Sequence, residues 1–196
     1  MKTLEIVTLQ GQAVVPYIKD LAELRCKVFR EFPYLYIGNS EYERKYLATY
    51  LECPSSTLIL VFDNKRVVGA STAIPLKYEV EECKQPFIKN GYDIDQVFYF
   101  GESVLLHEYR GQGIGKEFFK RREQAARQQN YQLATFCAVE RPQDHPRRPA
   151  DYKPLDEFWR MMGFVKHPEI ATTYYWQDLD ETTESLKPMT FWLKWL

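Results

Sequence analysis

Three consecutive pieces of sequence decide the fold: VFYFGESVLL (97–106), HEYRGQGIGK (107–116) and EFFKRREQAARQQN (117–130). The first is almost continuously apolar, as expected for a central strand covered on both faces. The third, with Ile114 ahead of it, places Phe118, Phe119, Ala125 and Ala126 on one stripe, predicting a helix to about residue 130. Lys116, Lys120, Arg121, Arg122 and Arg127 read as its solvated basic face. Between strand and helix lies a turn holding Gly111, Gly113 and Gly115, more glycine than a simple connection requires.

Working outward, QLATFCAVE (132–140) reads as the next strand, and TLILVFD (57–63) and RVVGASTAI (66–74) as two earlier ones joined at Asn64-Lys65. Residues 3–9 alternate in the manner of a half-buried strand. A helix through Val14, Ile18, Leu21, Ala22, Arg25, Val28 and Phe29 carries Pro16 in its first turn. A second helix opens on a Ser40/Glu43 capping box, presents Tyr42, Tyr46, Leu47, Tyr50 and Leu51, and stops at Pro54. Residues 77–96 read as a charged, solvated insertion with a short helix near 79–89. Leu155, Phe158, Trp159 and Met162 mark a short helix ended by Gly163. TTYYWQDL (172–179) and MTFWLKWL (189–196) are closing strands; the last, with Phe191, Trp192 and Trp195, either closes the core or forms a homodimer edge. The order β-α-α-β-β-β-α-β-α-β-β describes an α/β fold, one mixed sheet flanked by helices, in a single domain over residues 1–196.

Composition narrows the function. The 196 residues carry 26 basic and 27 acidic side chains, a net charge of −1, which is not the basic surplus of a nucleic-acid binder. No apolar run has the length of a membrane span and the N-terminus is not a signal peptide. Cys26, Cys53, Cys83 and Cys137 form no C-x-x-C pair, and His107, His145 and His167 are scattered, so neither a disulfide frame nor a metal site is expected. The expectation is a cytoplasmic protein without a metal.

A glycine turn at a helix N-terminus exposes consecutive N–H groups to an anion such as a phosphate or pyrophosphate. The spacing is not that of a P-loop, since Arg110 stands at the first glycine position and Glu117 at the hydroxyl position. Nor is it G-x-G-x-x-G, because Gly111 and Gly113 are followed by Gly115.

Arg110-x-x-Gly113-x-Gly115 after a strand ending VLLHEY resembles the acetyl-CoA signature of the GCN5-related N-acetyltransferases (GNAT). Phe158-Trp159 with Gly163-Phe164 is similar to that family's second helix motif, and the element order agrees along nearly the whole chain. The resemblance implies a GNAT-like fold with acetyl-CoA as co-substrate. Its pyrophosphate would lie on Arg110, Gly111, Gln112, Gly113, Ile114, Gly115 and Lys116, and its pantetheine arm beside the backbone of Val104, Leu105 and Leu106.

Acetyl transfer needs an unprotonated amine and a stabilised oxyanion. Glu102, in an apolar strand, is the expected base, with a raised pKa, and Glu140 is its competitor. Gly101 is expected at a bulge where the strand parts from its neighbour. Trp159 stands where relatives carry a tyrosine able to protonate the thiolate; Tyr152 and Tyr174 are alternative acids, or the thiolate leaves without one. Cys137 reads as a small apolar filler. Acceptor contacts are expected from Tyr34 and Tyr36, from Glu140, from residues 77–96 and from the proline-rich loop 141–154. In that loop Asp144 and Asp151 suit an ammonium, while Arg141, Arg147 and Arg148 suit a carboxylate or phosphate. The expected activity is direct transfer of an acetyl group from acetyl-CoA to a primary amine of a small-molecule or amino-acid-like acceptor. A non-catalytic acyl-CoA-binding module and a protein lysine or N-terminal acetyltransferase are the alternatives.

Overall fold

A computed structural model describes residues 4–196, with the side chains of 40–42 and 44–46 left outside the description. Seven strands form one sheet in the order β1-β2-β3-β4-β5-β7-β6. They are β1 (Leu4–Gln10), β2 (Thr57–Asp63), β3 (Arg66–Pro75), β4 (Val97–Leu105), β5 (Leu133–Val139), β6 (Val165–Trp176) and β7 (Ser185–Trp195). All neighbours are antiparallel except β4 and β5, which are parallel and joined through a helix. Asn64, at φ 56°, makes the tight β2–β3 turn.

The helices are α1 (Ile18–Val28), α2 (Ser40–Glu52), α3 (Glu81–Lys89), α4 (Ile114–Gln128) and α5 (Asp156–Met161). On one face of the sheet Leu21 and Leu24 of α1, Leu47 and Tyr50 of α2, and Cys83 and Phe87 of α3 pack with Tyr99 and Phe191. On the other face Phe119, Ala125 and Ala126 of α4 pack with Phe98, Phe100, Phe136, Phe164 and Trp192, and α5 adds Phe158 and Trp159.

Several expectations are corrected. Pro16 lies in a 3-10 turn (Gly11–Tyr17) and α1 begins only at Ile18. Residues 77–96 are mostly exposed and carry the expected short helix, but that helix, α3, is docked on the sheet: it buries Cys83 and Phe87, and the Phe87 ring meets that of Phe191 edge-on at 5.0 Å. The expected element order therefore gains a helix. β6 starts at Val165, seven residues ahead of the predicted strand, because the irregularity around Pro168 between His167 and Ala171 interrupts its alternation. The Ser40/Glu43 capping box and the side chains of Tyr42 and Tyr46 lie outside the described residues; Glu43 is fully buried and pairs with Arg25. β7 is an interior strand with Phe191 and Trp192 in the core and Trp195 exposed.

Two irregularities position the site. Pairing of β4 with β5 ends at Tyr99↔Thr135, so the two strands part beyond that point. On its other side β4 carries a bulge against β3: Ser71 faces Ser103 and Ala73 faces Phe100, leaving Gly101 and Glu102 opposite the single residue Thr72. An extra residue reverses the in–out alternation downstream. Val97 and Tyr99 thus face α1–α3, Phe98 and Phe100 face α4, and beyond the bulge Val104 again faces the α1–α3 side. The bulge is where the sequence placed it: it forms against β3, two residues past the last β4–β5 pair.

Candidate active site

Where β4 and β5 part, a cleft of about 860 Å³ opens. It runs from Arg110 and Gly115 along Leu105, Ser103 and Glu102 to Tyr34, Cys137 and Glu140. Residues 30–35 roof it on one side, and Arg147, Pro149, Asp151, Tyr152 and Lys153 of the proline-rich loop on the other.

At the entrance, Gly111 and Gly113 hold φ of 75° and 82°, and a Cβ on either would meet nothing within 4 Å, so the turn's surface is open. Gly113 caps α4, with Ile114 tucked into the core and Lys116 exposed. Among the described residues the N–H groups from Gly111 through Gly115 have no backbone acceptor. Consecutive free N–H groups at a helix N-terminus form an anion cradle. Arg110 does not point into that cradle. Its Nε donates to the Leu105 carbonyl at 3.1 Å, and Nη1 and Nη2 grip Glu31 at 2.7 and 3.1 Å across the cleft mouth. Val104 is buried with its side chain away from the cleft, and Leu106 packs into the core. The backbone of β4 past Tyr99 has no strand on its cleft side. A free strand edge beside an anion cradle fits a phosphorylated, amide-bearing arm that pairs as an added strand.

Glu102 lies at the floor, 6 % exposed. Its Oε2 receives Nη1 of Arg25 at 2.6 Å, while Oε1 is buried without a partner among the described residues. Burial pushes the Glu102 carboxyl above its ordinary 4.5; Arg25 opposes this and Glu43 adds to it. Nearby, Tyr50 Oη donates to Glu79 Oε1 at 3.2 Å, and burial raises Glu79 from 4.5 to about 7. Tyr34 lines the cleft with its hydroxyl pushed upward by burial. Glu140 also lines it, tied to Lys166 Nζ at 2.5 Å.

Other expected site residues lie elsewhere. Tyr36 bridges by its backbone to Asp178 and does not line the cleft. Residues 77–96 contribute nothing to it. Arg141 binds Asp178 and the carbonyls of Pro33 and Tyr34, so it clamps the loop that carries Tyr34. Arg148 stacks on Tyr152, 4.9 Å from its ring. Tyr174 packs on the α1–α3 side, whereas Tyr152 lines the cleft. Trp159 is a wall residue, its ring 5.1 Å from those of both Phe136 and Trp192. Cys137 lines the cleft, bonded to Tyr99 Oη at 3.2 Å, with burial raising its thiol to about 12, which leaves it protonated and a poor nucleophile.

The sequence reading missed Arg25 and misplaced Arg122. Arg25 sat on the α1 stripe among apolar positions, and Arg122 follows Phe118 by four residues, a spacing that could have marked it as inward-facing. Among the described residues no group of three or more potential metal ligands exists, and no helix is long and apolar enough to cross a membrane.

Solved structures share this architecture at low identity, which speaks for the fold alone. A ribosomal-protein-alanine N-acetyltransferase of Brucella melitensis superposes with a TM-score of 0.62 at 13 % identity, covering 97 % of this chain and 99 % of its own. An acetyltransferase of Streptococcus agalactiae gives 0.61 at 16 %, covering all of both chains. The yncA structure of Salmonella typhimurium, which holds its cofactor acetyl-CoA, gives 0.59 at 8 %, covering 97 % and 94 %. No curated relative matches by sequence. The acetyltransferase (GNAT) family, however, matches residues 19–150, more than half of the chain and the whole span from α1 through the glycine turn to the cleft's outer loop. With that match and with this cleft, the chain belongs to the GNAT family and is an acetyl-CoA-dependent acyltransferase.

Proposed function

We propose that the protein transfers the acetyl group of acetyl-CoA to the primary amine of a small-molecule or amino-acid-like acceptor, directly and within a ternary complex. One observation carries this reading. A single cleft runs from Arg110 and Gly115, the two residues that bracket the open N–H turn, along the free edge of β4 to Glu102, whose Oε1 has no partner among the described residues. The cradle holds the donor's pyrophosphate, and the β4 edge aligns the pantetheine amides. Glu102 Oε1 accepts a proton from the ammonium or from the attacking nitrogen. The carbon–nitrogen bond then forms as the carbon–sulfur bond breaks, and the electron pair leaves on sulfur.

A small acceptor is favoured by the walls. The loop carrying Tyr34, held by Arg141, and the loop carrying Tyr152 both line the cleft that Glu102 shares. Four unpaired cysteines accord with a cytosolic setting.

Calorimetric titration with acetyl-CoA and with CoA, beside Gly113→Asp, tests the donor. Saturable binding is expected, and loss of it in the variant, where an anionic side chain would stand at a left-handed position within the cradle. Turnover of small amines compared with peptide N-termini and lysyl peptides tests the acceptor. Absence of binding at millimolar CoA overturns the reading, and efficient acetylation of peptides alone replaces its acceptor class.

A further inference from the structure

Arg122 is a buried cation without a bonded anion. It stands on the inward stripe of α4, 2 % exposed, with its guanidinium between the rings of Phe100 and Phe119 at 4.5 and 4.7 Å. Its Nε donates to the Phe118 carbonyl at 3.3 Å, and its terminal nitrogens have no acceptor among the described residues. Burial draws its pKa down to about 9, so it still carries its charge at neutral pH. The groups that act on it are Glu102, Tyr50, Glu123 and Tyr99. Of these, Glu123 is already held by Lys194 Nζ at 2.7 Å. An unpaired cation in an apolar box is costly unless the working complex supplies negative charge there.

The position indicates which charge. Resting on the donor placement proposed above, the pantetheine arm leaves the cradle near Leu105 and follows β4 for about four residues, roughly 13 Å of strand. It ends beside Phe100 and Gly101, immediately past the last β4–β5 pair at Tyr99. Arg122 lies against that same Phe100 from the α4 side, whereas Glu102 binds Arg25 from the α1 side. We propose that Arg122 is the catalytic residue that stabilises the CoA thiolate as it leaves, in place of an acid that would protonate it.

The charges of the floor support this role. Arg25 faces two carboxylates, Glu43 and Glu102, and with Arg122 these four groups sum to zero, beside Glu79, whose pKa of about 7 keeps it partly protonated at neutral pH. When Glu102 takes the amine's proton, Arg25 and Glu43 balance each other and the charge of Arg122 is uncovered. At that moment sulfur acquires the electron pair of the broken carbon–sulfur bond. Negative charge moves from the Glu102 side of the fork to the Arg122 side, and no proton has to reach the sulfur. Trp159, which has no proton to give, is then no obstacle.

The test is the ionisation of bound CoA itself, read from thiolate ultraviolet absorbance over a pH series, with the desulfo-CoA complex subtracted to remove the protein's own thiols and tyrosines. In the unaltered protein the bound thiol should ionise about one unit or more below free CoA. Arg122→Met, which puts an apolar chain of similar length into an apolar box, should fold. It should bind CoA within about threefold of the unaltered protein, return the thiol to its free value or above, and lower kcat by roughly 100-fold. Arg122→Lys should keep a large part of the shift. A bound thiol that titrates identically in the unaltered protein and in Arg122→Met overturns the proposal. Failure of the unaltered protein to bind CoA overturns the donor reading instead, so the two failures are distinguishable.

Discussion

Arg25 Nη1 lies 2.6 Å from Glu102 Oε2, and the same guanidinium bonds Glu43 of α2 through Nε. One side chain therefore joins α1, α2 and β4 beneath the cleft and leaves the other Glu102 oxygen outside the ion pair. The geometry explains how a glutamate inside an apolar strand can be both anchored and reactive: one oxygen is spent on structure, the other is not.

Glu102→Gln removes the proton acceptor while Arg25 keeps Glu43 as its partner. The expected result is a fall in kcat of about 10²–10⁴-fold with little change in CoA affinity. Because burial raises the Glu102 pKa, kcat/KM of the unaltered enzyme should climb through an acidic limb centred above 4.5, and the variant should lack that limb. Initial rates from pH 5 to 9 decide it; an unchanged limb would assign the base elsewhere.

Gly101 is required by Tyr50 rather than by its backbone angles. A Cβ there would stand 2.1 Å from Tyr50 Oη and 2.5 Å from Thr72 Oγ1. Gly101→Ala should destabilise by roughly 1–3 kcal/mol. Adding Tyr50→Phe, which deletes the obstructing hydroxyl, should recover part of that loss in a double-mutant cycle of thermal or denaturant unfolding. Strict additivity would rule out the contact as the cause.

Glu79 links stability to pH. Its folded-state pKa of about 7 stands above the ordinary 4.5, so the folded chain holds this proton more tightly than the unfolded chain. The resulting stabilisation is complete below pH 4.5 and disappears as pH rises through 7, on the order of 3 kcal/mol at most. Glu79→Gln should flatten that part of the stability profile. Denaturant midpoints of both proteins measured from pH 4.5 to 8 provide the comparison, and parallel profiles would contradict it.

The Arg110–Glu31 pair spans the cleft mouth with both side chains about two-fifths exposed, which makes it worth less than ~1 kcal/mol to the fold. Glu31→Gln should leave the unfolding midpoint unchanged and free Arg110 for the donor's phosphates. CoA affinity should rise several-fold, by an amount that shrinks at high salt. Weaker binding in the variant would show that Glu31 positions Arg110 for the donor.

The order of elements and the glycine turn were legible because their causes are local. Period-two and helical spacing placed nearly every strand and helix, and the glycines at 111 and 113 adopt the left-handed angles that their type permits. Helix α3 was expected, but its docking against the sheet was not, because its charged outer positions dominate the pattern while only Cys83 and Phe87 are fully buried. The irregularity at Pro168 hid the first half of β6 for a similar reason.

What the sequence determined by itself was the α/β architecture, the anion cradle ahead of α4 and the presence of a glutamate in the central strand. What only the tertiary structure decided was the electrostatics of the floor. The bulge at Gly101 and Glu102 turns the carboxylate toward Arg25 of α1. The packing of α4 carries Arg122 out of the solvated face assigned to it and into an aromatic box at the fork. Charge partners far apart in sequence meet only when strands pair and helices dock. A residue's local pattern records which face it occupies, not which opposite charge will be waiting there.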